Sequence, residues 1–140
     1  ADLSPPYWIN MGAMAISTLA GSLLVLNSND APFIHSILPF VKGFTVFYWA
    51  TGTWWIPMLI ILGIWRYFYK RFPLRYDPLY WGAVFPLGMY AVGTHQMAKA
   101  LDFHFLVTLP VIFSWIALGA WFLTFYGYLL TLYRGATAPR

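Results

Sequence analysis

Four long stretches of the chain are apolar with almost no polar interruption, and short polar clusters separate them. The first covers about 7–26 and stops at Asn27-Ser28-Asn29-Asp30-Ala31-Pro32, which reads as a loop. The second, about 43–65, is uncharged until Arg66, Lys70, Arg71 and Arg75, with Pro73 and Pro78 punctuating the connection that follows. The third covers about 79–98 and the fourth about 105–133. A helix needs about 20 mostly apolar residues to cross the hydrocarbon core of a bilayer. The pattern therefore predicts four transmembrane helices. None of the stretches shows the polar face of a helix lying on a soluble core, and nothing alternates with the period of a barrel strand. No internal repeat or linker divides the chain, so residues 1–140 are expected to form a single all-α integral membrane domain.

Composition changes the picture mainly by exclusion. The chain is 61% hydrophobic and 9% charged, whereas soluble domains carry about 25% charged residues. The lipid bilayer is its first partner. Eight basic and four acidic residues are too few to build the basic stripe of a nucleic-acid binder, so no nucleic-acid partner is expected. Without cysteine there is no disulfide framework, thiolate metal site or thiol redox chemistry. The opening Ala1-Asp2-Leu3 lacks an initiator Met and a basic n-region, so the chain is expected to have been processed or cut from something longer.

Charge also orients the spans. The connection 66–75 holds four of the eight basic residues, which places it in the cytoplasm. Arg134 and Arg140 fall on the same side two passes later, so both termini are expected to be cytoplasmic, in the cell (inner) membrane. The opposite loops carry one lysine each, Lys42 and Lys99, and one aspartate each, Asp30 and Asp102.

The spans are of two kinds. From Ile9 to Leu26 there is no aromatic residue, and small residues crowd the stretch; the third span mixes aromatics with Gly82, Ala83, Gly88, Ala91, Gly93 and Thr94. Spans two and four are heavily aromatic, with Trp49, Trp54 and Trp55 in one and Trp115, Trp121 and Phe122 in the other. Small residues let helix backbones approach closely or leave room for a permeant, whereas bulky aromatics suit lipid. Spans one and three are therefore expected to be inner, two and four outer. In the third span, Pro86 removes one backbone hydrogen bond and kinks the helix, and the large ring of Phe85 beside it is suited to obstruct a narrow channel.

The run Trp81-Gly82-Ala83-Val84-Phe85-Pro86-Leu87-Gly88-Met89-Tyr90-Ala91-Val92-Gly93-Thr94 resembles the ninth helix of the tellurite-resistance/dicarboxylate transporter family, which includes bacterial tellurite-resistance proteins, fungal malate permeases and plant slow anion channels. Pro6-Tyr7-Trp8-Ile9-Asn10-Met11-Gly12-Ala13-Met14-Ala15 is similar to the start of its seventh helix, and Phe113-Ser114-Trp115-Ile116-Ala117-Leu118-Gly119-Ala120-Trp121 to its tenth. The resemblance implies the last four helices of a ten-helix fold, with odd-numbered helices lining the pore and both ends of the chain cytoplasmic. It also implies trimers, and it carries the family's gating phenylalanine onto Phe85. The first six helices of that fold are absent, so the missing helices or other transmembrane chains would have to complete a pore.

No Asp, Glu, Lys or Arg lies within the four spans, which argues against a carboxylate proton relay and a charge-based filter. A path here would rely on its diameter, on backbone dipoles near Pro86 and on hydroxyls. The candidates for pore and gate are Phe85, Pro86, Gly12, Ser17, Thr18, Gly88 and Thr94. The hydroxyls also have a structural role open to them, bonding back to their own helix. His95 and His104 come nearest to a haem or ion site, since ligation in a bundle wants histidines on facing helices at one depth; no metal motif is present and no cofactor is expected. Nothing resembles a nucleophile elbow or phosphate loop, so no enzyme is expected. The leading reading is part of a channel or transporter for small anions or C4-dicarboxylates. The alternative is a non-transporting accessory subunit that packs helices, pigments or lipids in a larger complex.

Overall fold

The computed structural model describes residues 7–71 and 76–137; Pro6, Pro73, Arg75 and Arg140, which enter the sequence reading, lie outside them. The first apolar stretch becomes α1, Trp8–Leu26. Asn27 closes it twice, since both its backbone N–H (3.0 Å) and its side-chain amide (2.8 Å) donate to the Leu23 carbonyl, satisfying a group that the helix end leaves orphaned. The loop that follows contains a short helix, α2, Pro32–Ser36. Next, α3 spans Leu38–Ile64, starting before the predicted boundary near 43. Pro39 explains the early start: in a first turn its fixed φ is already helical and its missing N–H has no intrahelical role. At its far end the chain widens into a π turn, Trp65–Tyr69, where the Lys70 N–H reaches back five residues to the Trp65 carbonyl at 3.0 Å.

Asp77 accepts the Leu79 N–H at 2.9 Å and Pro78 opens a 3-10 turn, from which α4, Trp81–Ala100, continues. It stops at Leu101 and Asp102; Asp102 has φ +56°, and the Phe103 N–H bonds back to the Ala98 carbonyl at 2.9 Å. That pair of features is the left-handed stop of a Schellman motif. A second 3-10 turn, His104–Leu106, leads into α5, Thr108–Thr137.

Helix directions follow from which residues meet. α1 and α4 lie side by side and run the same way, with Ile9 beside Gly82, Gly12 beside Pro86 and Ala15 beside Gly93. α3 runs against α1, bringing Gly52 beside Met14 and Thr45 beside Gly21. α5 runs against α4: the rings of Phe113 and Tyr90 are 4.6 Å apart, while Ala120 and Thr124 share a groove with Ala83 and Tyr80. The order in space is α3, α1, α4, α5, so the small-residue helices hold the centre and the aromatic helices flank them.

This arrangement gathers charge by end. The starts of α1 and α4 share one end with the π turn and the last turns of α5, so Arg66, Lys70, Arg71 and Arg134 collect there. Lys70 lies 5.5 Å from the Trp65 ring and Arg66 5.9 Å from the Tyr67 ring, within cation–π range.

Three of these helical segments, Trp8–Leu26, Leu38–Tyr69 and His104–Arg134, are long and apolar enough to cross a membrane. The helix α4 has 20 residues, about 30 Å at 1.5 Å per residue, but its glycines together with His95, Gln96 and Lys99 lower its apolar content. The chain is an all-α, multi-pass membrane protein. Its outer surface shows this directly: Trp54, Phe68, Phe105, Trp115 and Leu123 are all more than two-thirds exposed, a surface that suits lipid and not water.

Candidate functional site

The polar residues of α1, α3 and α4 are sorted by which side of the central pair they occupy. Behind it, where α3 leans across the seam, Trp49 donates its indole N–H to the Thr94 hydroxyl at 3.0 Å, and the hydroxyls of Thr53 and Tyr90 are 2.8 Å apart. Thr18, Ser22 and Thr45 are buried close by and each bonds a carbonyl four residues earlier on its own helix. The space enclosed by Ala15, Thr18, Trp49, Gly52, Tyr90 and Thr94 is too small for a water molecule. In lipid an unsatisfied polar group costs several kcal/mol, and these groups are satisfied without solvent, by one another or by the backbone of their own helix.

The two helices touch most closely where side chains are smallest. A β-carbon on Gly12 would lie 3.0 Å from Cγ of Pro86, and one on Gly93 would lie 2.9 Å from the Ala15 carbonyl oxygen. Pro86 is thus fully buried in the seam, its ring seated on Gly12. Phe85, one residue earlier, points to the opposite side and is 57% exposed.

That opposite side is the one α1 and α4 turn away from α3. It carries Ile9, Ala13, Ile16 and Ala20 from α1, and Phe85, Gly88, Val92 and His95 from α4. Both sets recur at three- and four-residue spacing, the spacing of a single helix face. Because the two helices are parallel and adjacent, their open faces make one continuous strip. A β-carbon on Gly88 would meet nothing within 4 Å, so the strip is slimmest one turn beyond Phe85. The basic end lies at the α4 start, and His95 and Lys99 occupy the other end of the strip.

The seven pore candidates therefore separate. Phe85 and Gly88 lie on the open strip, and Ser17, half-buried with its hydroxyl bonded to the Ala13 carbonyl at 3.0 Å, sits at its edge. Gly12 and Pro86 form the α1–α4 seam, while Thr18 and Thr94 belong to the buried polar cluster behind it. His95 and His104 are both exposed, and among the described residues no group of three or more His, Cys, Asp or Glu is placed to hold a metal. Sequence reading missed the cluster partners Trp49, Thr53 and Tyr90. Their signal was present: Trp49 and Thr53, like Tyr90 and Thr94, are four residues apart and so share a helix face.

At the basic end, the hydroxyls of Tyr67 and Tyr80 are 2.8 Å apart and tie the π turn to the start of α4. Trp81 donates to the Tyr76 hydroxyl at 3.2 Å. An apolar groove of about 430 Å³ opens beside them, between α4 and α5.

Comparison with known proteins gives the geometry a context. The sequence model of a family described as voltage-dependent anion channel matches residues 1–129. A protein of Mycobacterium tuberculosis described as an uncharacterized membrane protein is 42% identical over 125 residues, 89% of this chain and 63% of the relative. A protein of Methanocaldococcus jannaschii described as an uncharacterized transporter is 32% identical over 133 residues, 94% of this chain and 35% of the relative. The chain thus spans less than two-thirds of the mycobacterial relative and about a third of the archaeal one. No solved structure matches.

Proposed function

The chain belongs to the voltage-dependent anion channel family, and from that premise we propose that α1 and α4 line part of a membrane path for small anions, C4-dicarboxylates among them. The observation that carries this reading is the continuous open strip on two parallel, tightly seamed helices, with Phe85 exposed in the second turn of α4 and Gly88 leaving space beyond it. The strip holds no acidic side chain, so nothing on it repels an anion, and any anion passing Phe85 is met by backbone dipoles and small side chains. The π turn, α5 and the seam hold the strip in place; helices of a longer chain or of other chains complete the enclosure. In this reading all four long helices cross the cell membrane, with the basic end in the cytoplasm.

These 140 residues hold no cysteine, so the strip is open to single-cysteine labelling once any cysteine elsewhere in the full-length protein is replaced. Single cysteines at Ala13, Gly88 and Val92 on the strip, and at Trp115 and Leu123 on the outer face of α5, are introduced into the full-length protein in membranes. A charged, water-soluble thiol reagent is then applied. A water-filled path requires fast labelling of the strip positions and none of the outer ones. Equal silence at both faces shows the strip packed against other helices, as in an accessory subunit, and overturns the reading.

A further inference from the structure

Resting on that reading, we propose that His95 and Lys99 form an anion-capture site at the mouth of the path remote from the basic end. Both lie on the open strip of α4: Phe85, Gly88, Val92, His95 and Lys99 follow one another at three- and four-residue steps on a single face. His95 is about 15 Å along the helix from Phe85 at 1.5 Å per residue, so an anion entering at that mouth meets it well before the obstruction. The two residues are four apart, which brings their β-carbons to about 5–6 Å, close enough for both to engage one small anion. Both are exposed, and among the described residues neither side chain makes a hydrogen bond or ion pair.

Among the described side chains no carboxylate pairs with either residue. Around this end the ionisable groups are Lys42 on α3, Asp102 after α4, His104 before α5, and His35 on α2, with Asp30 in the turn after α1; α1 itself brings none. Asp102 shares a cavity of about 420 Å³ with Lys42 and Phe103, so the carboxylate at the end of α4 lies with the lysine of α3 and not on the strip. The mouth therefore offers an anion the ammonium group of Lys99 and, beside it, the ring N–H of His95 as a hydrogen-bond donor.

The test is anion uptake by full-length protein in vesicles at one fixed pH, with chloride and succinate as probes. A unit charge near a bound anion in a wet mouth is worth about fivefold in occupancy, so Lys99→Gln lowers uptake about fivefold while Lys99→Arg keeps it. His95→Ala lowers uptake as well, and His104→Gln behaves as unsubstituted protein. Unchanged uptake in folded Lys99→Gln or in folded His95→Ala overturns the capture site alone. No uptake by the unsubstituted protein overturns the anion path and the capture site together.

Discussion

Gly93 of α4 lies against the backbone of Ala15 of α1, so closely that a β-carbon on Gly93 would come to 2.9 Å from the Ala15 carbonyl oxygen. In a bilayer apolar helices gain nothing by leaving lipid for one another, and association rests on close packing. The seam between α1 and α4 therefore depends on this contact and on the Gly12–Pro86 contact one helical stretch earlier. Because the blocking atom is backbone, a larger residue at position 93 must push the helices apart.

Gly93→Val is expected to destabilise the protein by about 1–3 kcal/mol, the range for overpacking a tight interior. Gly88→Val is the matched control, since its β-carbon meets nothing within 4 Å, and it should change stability by no more than about 0.5 kcal/mol. Thermal unfolding in detergent measures both. Equal midpoints for the two variants would show that the seam does not hold α4 in place.

The hydroxyl pair Thr53–Tyr90, 2.8 Å apart, ties α3 to α4 one turn from the Trp49–Thr94 bond. A double-mutant cycle with Thr53→Val and Tyr90→Phe should give a coupling of about 0.6 kcal/mol, the average for interhelical hydrogen bonds in membranes. Additive effects of the two substitutions would mean that each hydroxyl is satisfied elsewhere.

Asp102 stops α4 with φ +56°. A left-handed residue other than glycine is held at a cost of about 1 kcal/mol, so Asp102→Gly should leave stability unchanged or raise it by up to that amount. Asp102→Val, β-branched and poorly suited to this conformation, should lower it. Unfolding midpoints in the same detergent decide between this and a stop imposed by packing alone, for which the Val variant would match the parent.

The helices were legible in sequence because span length and apolar content are nearly sufficient in lipid, and because the count of aromatics separated α1 from α3 and α5. Boundaries were less so. The start of α3 at Leu38 depends on Pro39 serving as a helix opener, and the same residue type elsewhere ends helices. The division of the small and polar residues was not legible at all. Ser17 and Thr18 are neighbours in sequence with the same ability to bond backward, yet one edges the open strip and the other is buried. With apolar residues on every side of a helix, nothing in its periodicity says which face meets a helix and which meets lipid or a path. Likewise Phe85 and Pro86 read as one motif, but successive residues on a helix point about 100° apart, and the fold uses the proline for the seam and leaves the phenylalanine open.

Anion flux through Phe85→Ala, in the full-length protein reconstituted in vesicles, tests the obstruction most directly. The ring is 57% exposed and contributes little to packing, so the variant should fold and unfold as the parent does. If Phe85 blocks the path, removing its ring should raise flux about tenfold, equivalent to lowering the barrier by ~1.4 kcal/mol. Flux unchanged from the parent, in a protein with an unchanged unfolding midpoint, would contradict the placing of Phe85 in the path.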